Sequence, residues 1–105
     1  MNDVRDVSNK HSNNRLGPVM RAGELALAVA EAAQEDNPGR DIRVVDKLAY
    51  LRIDTEGEMI LRRETIERSL GRPFKMNELE LDLSSFAGRI ETLPDMVRFY
   101  FVSHL

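Results

Sequence analysis

The sequence predicts a small α+β domain, with short antiparallel or mixed strands and two main helices behind a mobile polar tail. Three observations carry this. Leu25, Ala28, Val29, Ala32 and Ala33 recur at helical spacing between Gly23 and Asp36. Several short segments instead alternate apolar with polar residues, as in Ala49-Tyr50-Leu51-Arg52-Ile53. The 105-residue length fits one domain, which can bury roughly two-thirds of its unfolded surface without disulfide or metal staples.

Residues 1–15 hold only Met1, Val4 and Val7 as large apolar residues, too few to offset the entropy of ordering the segment. They are read as the tail, and 16–105 as the folded domain. Leu16 to Ala22 follows as a strand. Because Pro18 has no N–H to give to a ladder, it is read as an edge strand or a strand entry. The helix from Gly23 to Asp36 is stopped by Asn37-Pro38-Gly39, and its alanine-rich stripe permits close approach to a sheet. Three strands are expected next: around Ile42–Val45, from Ala49 to Ile53, and around Met59–Leu61. The turn at Gly57 suits a hairpin between the last two. A second helix runs from Arg63 to Leu70, with Gly71 as its stop and Pro73 beyond. Leu79, Leu81 and Leu83 alternate with Glu80 and Asp82, a strand-like period, and Ser84 to Gly88 is read as a loop. Strands around Ile90 and from Met96 to Val102 complete the chain, with Val97, Phe99 and Phe101 on one face.

Composition excludes several chemistries. With no cysteine there is no disulfide, thiolate metal site or cysteine nucleophile. Lys and Arg number 15 against 18 Asp and Glu, a formal net charge of −3 that argues against life on phosphate backbones. No apolar run approaches the ~20 residues of a membrane span, and the polar N-terminus lacks a signal-peptide core, so a cytoplasmic protein is expected. The two histidines, His11 and His104, lie near the termini, where neither would be held rigidly enough for metal binding or acid–base work. There is no phosphate loop, nucleophile elbow or dinucleotide fingerprint, and nothing near Ser84-Ser85 in sequence could activate a serine. Arg62, Arg63, Arg68, Arg72 and Lys75, set against Glu64 and Glu67, could form a cationic patch. The plainer reading is the solvated face of a short helix, with Phe74 as a core plug. The residues thus describe a binding or regulatory module without catalytic equipment, with a nucleic-acid-binding module or a small cofactor-free enzyme as rivals.

A resemblance narrows this. Asn13-Asn14-Arg15-Leu16-Gly17-Pro18-Val19-Met20-Arg21-Ala22-Gly23 is similar to the opening of effector proteins of toluene monooxygenases. Asn37-Pro38-Gly39, Asp46 with Tyr50, Glu56-Gly57-Glu58 and Leu70-Gly71-Arg72-Pro73-Phe74 follow in that family's order. Met76-Asn77-Glu78-Leu79-Glu80, Ser84-Ser85-Phe86-Ala87-Gly88-Arg89-Ile90 and Arg98-Phe99-Tyr100-Phe101 complete the match, which extends from Asn13 to Phe101. More distantly, the chain resembles the regulatory proteins of phenol hydroxylase and soluble methane monooxygenase.

The resemblance implies a non-catalytic, cofactor-free effector that binds a di-iron hydroxylase near its active site and remodels it. It would improve the coupling of NADH and oxygen use to hydroxylation. It would also occupy a surface overlapping the docking site of a Rieske ferredoxin, with a flavin reductase completing the system. It places the hydroxylase contacts on Ser84, Ser85, Phe86 and Arg89, with Asn13 and Asn14 as further candidates. No catalytic, cofactor-binding or metal-ligating residue is implied. A monomer is expected, since no heptad pattern appears.

Overall fold

A computed structural model describes residues 14–102. The order is β1 (Arg15–Arg21), α1 (Glu24–Asp36), β2 (Arg43–Asp46), β3 (Tyr50–Glu56), β4 (Glu58–Arg62), α2 (Arg63–Leu70), α3 (Asn77–Asp82), β5 (Leu83–Ala87), β6 (Arg89–Thr92) and β7 (Met96–Tyr100). The strands form two antiparallel sheets, one ordered β2-β3-β1-β5 and the other β4-β7-β6. The expected α+β class holds, with a third, short helix added.

The core lies where α1 meets the inner faces of the two sheets. Leu16 and Met20 of β1, Leu51 and Ile53 of β3, Met59 and Leu61 of β4, and Val97 and Phe99 of β7 alternate inward along their strands. Helix α1 buries Ala26, Ala28, Ala30, Ala32 and Ala33 beside Leu25 and Val29, so its backbone approaches its neighbours closely. Asn37 locks its C-terminal end. The buried side-chain amide donates to the carbonyls of Ala33 and Ile60, both at 2.8 Å, and accepts the Ile60 N–H at 2.8 Å. One side chain therefore ends the helix and ties it to β4. Phe74 is buried as the expected plug, which stabilises the fold by about 1.5–3 kcal/mol relative to leaving it exposed. Helix α2 ends at Gly71, whose N–H donates to the Glu67 carbonyl.

Four local expectations are corrected. First, β1 is interior rather than an edge, lying between β3 and β5. Its ladder to β3 pairs Leu16 with Thr55 and resumes at Val19 with Arg52, skipping Gly17 and Pro18. The proline's missing donor thus falls where the ladder is already broken. Gly17 is required there: it holds a φ of 138°, and a Cβ would come within 2.2 Å of the Ile53 carbonyl oxygen.

Second, β3 and β4 are no hairpin, because at Gly57 the chain crosses from one sheet to the other. Third, Asn77 to Asp82 is helical, not extended. Glu78 accepts the Lys75 N–H through its carboxylate and donates its own N–H to the Lys75 carbonyl, closing a first turn. One helical turn then puts Leu79 and the half-buried Leu83 inward and leaves Leu81 76% exposed, which mimics a two-residue period in the sequence. Fourth, Leu83 to Ala87 is a strand rather than a loop. Its partner β1 is 63 to 70 residues away in sequence, and its apolar residues Leu83, Phe86 and Ala87 do not alternate with the two serines, so no local period marks it.

Candidate functional site

Strand β5 pairs on one side only, with β1, and is an outer strand of its sheet. Its pairing runs Gly17–Ala87, Pro18–Phe86 and Val19–Ser85, then shifts so that Met20 faces Leu83. Ser84 is the extra residue at that shift, a β-bulge, which bends the strand and re-aims its side chains. Ser84, Ser85, Phe86 and Ala87 are all exposed. Phe86 is half-open, at 41% exposure, and its ring packs against buried Phe99 with centroids 6.1 Å apart and a tilt of 56°. The core thereby fixes the ring's orientation while one edge stays available to a partner.

Gly88 carries the chain from β5 into β6. It holds a φ of 90°, and a Cβ there would lie 3.0 Å from the Tyr100 carbonyl oxygen and 3.1 Å from the Leu16 Cβ. This close approach brings exposed Arg89, paired with Tyr100 in the second sheet, next to the start of β1. Asn14 is exposed at that same start, where its carbonyl accepts the Gly57 N–H at 3.3 Å. Ser84, Ser85, Phe86, Arg89 and Asn14 thus lie along one margin of the molecule, where the two sheets meet. Asn13 lies outside the described residues, as do His11, His104 and the tail up to that point.

The outward face of the four-stranded sheet adjoins this margin and carries a feature that the sequence reading did not assemble. Asp54 is buried and binds two arginines: Arg15 Nε at 2.6 Å and Arg43 Nε at 3.3 Å. A cleft of about 290 Å³ opens there, lined by Arg15, Arg43, Arg52, Asp54, Ser85 and Phe86 among others. The signal was present only as Arg15, Arg43 and Arg52 in three separate segments, and strand register brings them together.

The arginine-rich segment around α2 behaves as its plainer reading expects. Arg63 pairs with Glu67 at 3.0 Å, Arg68 with Glu35 at 2.5 Å, and Arg72 with Glu78 at 3.4 Å and Glu24 at 4.0 Å. The Glu35 partner raises the Arg68 pKa, through its hydrogen bond and its charge. These exposed pairs neutralise one another and contribute little stability each. On the second sheet, Arg98 bridges Glu58 and Glu91 and lies 4.2 Å from the Tyr100 ring centroid. Its pKa is likewise raised, chiefly by the hydrogen bond to Glu58.

A wider cleft, about 620 Å³, lies between the α2–α3 connection and the β6–β7 turn, with Phe74, Met76 and Leu93 among its lining residues. Its charged residues are Arg63, Lys75 and Asp95. Among the described residues no three His, Asp or Glu side chains gather as metal ligands, and no helix is long and apolar enough to cross a membrane.

Known proteins share this architecture. The chain is 42% identical over 90 residues to the effector subunit of the alkene monooxygenase system of Xanthobacter autotrophicus, covering 86% of this chain and 89% of that protein. It is 33% identical over 70 residues to the phenol 2-monooxygenase stimulatory component DmpM of Pseudomonas sp. strain CF600, covering 67% and 76%. Its fold matches a chain of the phenol hydroxylase–regulatory protein complex with a TM-score of 0.73 at 28% identity, over 84% of this chain and 99% of that one. It also matches the fold of the soluble methane monooxygenase regulatory protein B, with a TM-score of 0.64 at 22% identity, over 83% and 64%. The relatives are thus named effector, stimulatory or regulatory components. The family pattern spans residues 14–100, which takes in both sheets, all three helices and the β5–β6 margin, and the chain belongs to the MmoB/DmpM family.

Proposed function

We propose that this protein is the non-catalytic effector of a multicomponent di-iron monooxygenase, and that it acts by binding the hydroxylase component. The observation that carries the reading is family membership across residues 14–100, together with the likeness to a chain of a hydroxylase–regulatory protein complex. The exposed β5 strand suits the role, because its side chains are presented by a rigid sheet while its outer edge stays open. An effector of this kind changes a partner's rate only through differential affinity for the partner's conformations. It therefore needs no catalytic cluster of its own.

In this reading Ser84, Ser85, Phe86, Arg89 and Asn14 contact the hydroxylase, with Asn13 beside them. Occupying that surface regulates access of a Rieske ferredoxin and raises product formed per NADH consumed. The protein is monomeric when free, is cytoplasmic, takes no cofactor, and binds neither nucleic acid nor membrane. The substrate class read from the sequence is a toluene-type aromatic. The 42% identity to an alkene system's effector favours a second reading, in which the partner hydroxylase oxidises alkenes.

The test reconstitutes the hydroxylase, ferredoxin and reductase of the source organism and titrates in this protein. Product is measured with toluene and with a short alkene, against NADH consumed. The expected result is a rise to a maximum near stoichiometric addition, with inhibition in excess as the ferredoxin is displaced. No change in rate or coupling with either substrate overturns the reading.

A further inference from the structure

The arginine-lined cleft on the open face of the β2-β3-β1-β5 sheet has no role in the function as described so far. Directly paired residues of neighbouring antiparallel strands present their side chains on the same face. The registers Val45–Arg52, Arg52–Val19 and Val19–Ser85 therefore set Val45, Arg52, Val19 and Ser85 in one row across all four strands. The adjacent row holds Arg43 and Asp54 and, on the far side of Gly17, Ala87. Gly17, Asp54 and Ala87 are all among the residues that line the cleft.

The charges there are unevenly satisfied. Asp54 is buried, with its side chain 8% exposed, and is neutralised by Arg15, itself nearly covered, and by Arg43. Arg43 remains 51% exposed, so much of its guanidinium faces solvent. Arg52 is exposed and makes no ion pair among the described residues. Three guanidiniums thus line a cleft holding one carboxylate, on a chain whose formal net charge is −3. Ser85 closes the row two strands from Arg52, about 10 Å away at the usual strand spacing. An extended arginine and a hydroxyl can meet one guest across that distance.

We propose that this cleft receives a carboxylate side chain, Asp or Glu, projecting from the docking face of the hydroxylase, with Arg52 as the principal donor and Arg43 and the Ser85 hydroxyl completing the site. The inference rests on the proposed hydroxylase partner and adds the chemistry of one contact. A planar guanidinium matches a carboxylate with two parallel N–H···O bonds. Asp54 on the cleft floor repels a phosphate dianion more than a monoanion. The cleft also shares Ser85 and Phe86 with the β5 margin, so a partner seated on β5 reaches it without a second footprint. Phe86 is packed against Phe99 rather than free to stack on a base, which disfavours nucleic acid as the occupant.

The experiment measures binding of the full chain to the purified hydroxylase at several salt concentrations, for wild type, Arg52→Gln, Arg52→Glu, Arg52→Lys and Lys75→Glu. Thermal melts establish that each variant is folded. The proposal expects Arg52→Glu to weaken binding by about tenfold or more and to flatten its salt dependence. Arg52→Gln should fall between, Arg52→Lys should lose part of the affinity, and Lys75→Glu should bind as wild type does. Folded Arg52 variants with wild-type affinity and salt slope overturn the carboxylate contact while leaving the effector reading intact. Failure of the wild type itself to bind overturns the effector reading. Self-association or binding of a single-stranded oligonucleotide that depends on Arg52 also overturns the proposal, by assigning the cleft another occupant.

Discussion

Replacing Asn37 with alanine removes three hydrogen bonds at 2.8 Å, one to Ala33 at the end of α1 and two to Ile60 of β4, while leaving the β5 margin untouched. Each such bond contributes about 1 kcal/mol net, so the expected loss is about 3 kcal/mol. It could reach roughly 4 kcal/mol if the Ile60 N–H and carbonyl stay dry once their partner is gone. For a domain of this size that corresponds to a fall in melting temperature of about 12 °C or more. The urea midpoint should drop by about 1.5 M, taking an m value near 2 kcal/mol/M. Chemical denaturation followed by far-UV circular dichroism provides the assay, with Asn37→Asp as a comparison. Asp keeps the acceptor for Ile60 but sets a carboxylate against the Ala33 and Ile60 carbonyls, so it should be no better than alanine at neutral pH. A loss below about 1 kcal/mol for Asn37→Ala would refute the reasoning, because water or a shifted α1 would then be replacing all three bonds.

Two further outcomes test other joints. Gly88→Ala places a Cβ 3.0 Å from the Tyr100 carbonyl oxygen at a φ of 90°. It should cost about 2 kcal/mol in urea unfolding and lower hydroxylase stimulation per folded molecule, since it displaces the β5–β6 junction; unchanged stability and stimulation would contradict this. The Glu78 carboxylate is held below its ordinary value of 4.5, first by the Lys75 N–H it accepts and further by Arg72, against a smaller opposing effect of burial. A depressed carboxylate contributes stability above its unfolded pKa and loses it as pH falls through the lower folded value. Glu78→Gln should therefore flatten the acid loss of stability below about pH 4.5. An NMR titration of Glu78 with a midpoint at or above 4.5 would contradict the assignment.

What could be read from the residues alone follows from how local each signal is. The helix from Glu24 to Asp36 and its stop at Asn37 are legible because helical periodicity and breakers act within a few residues. The helix from Arg63 to Leu70, the strand Tyr50–Glu56 and the strand Met96–Tyr100 are legible for the same reason. Phe74 as a buried plug and the self-paired charges around Arg68 and Arg72 also follow from composition and spacing. The family was recognisable because its short motifs recur in order along the chain.

Tertiary structure decided the rest. Leu79, Leu81 and Leu83 fit a strand's period, yet the turn closed by Glu78 makes Asn77–Asp82 a helix. Ser84 to Ala87 reads as a loop, yet pairing with distant β1 makes it the strand that presents the candidate contacts. Pro18 suggests an edge, yet a ladder broken at Gly17 lets β1 lie inside its sheet. Arg15, Arg43, Arg52 and Asp54 carry no joint signal along the chain, because strand register alone sets them around one cleft. Local periodicity records what a residue does within its own turn or strand. Pairing partners, bulges and shared faces depend on contacts between residues far apart in sequence, and those energies exist only once the chain has folded.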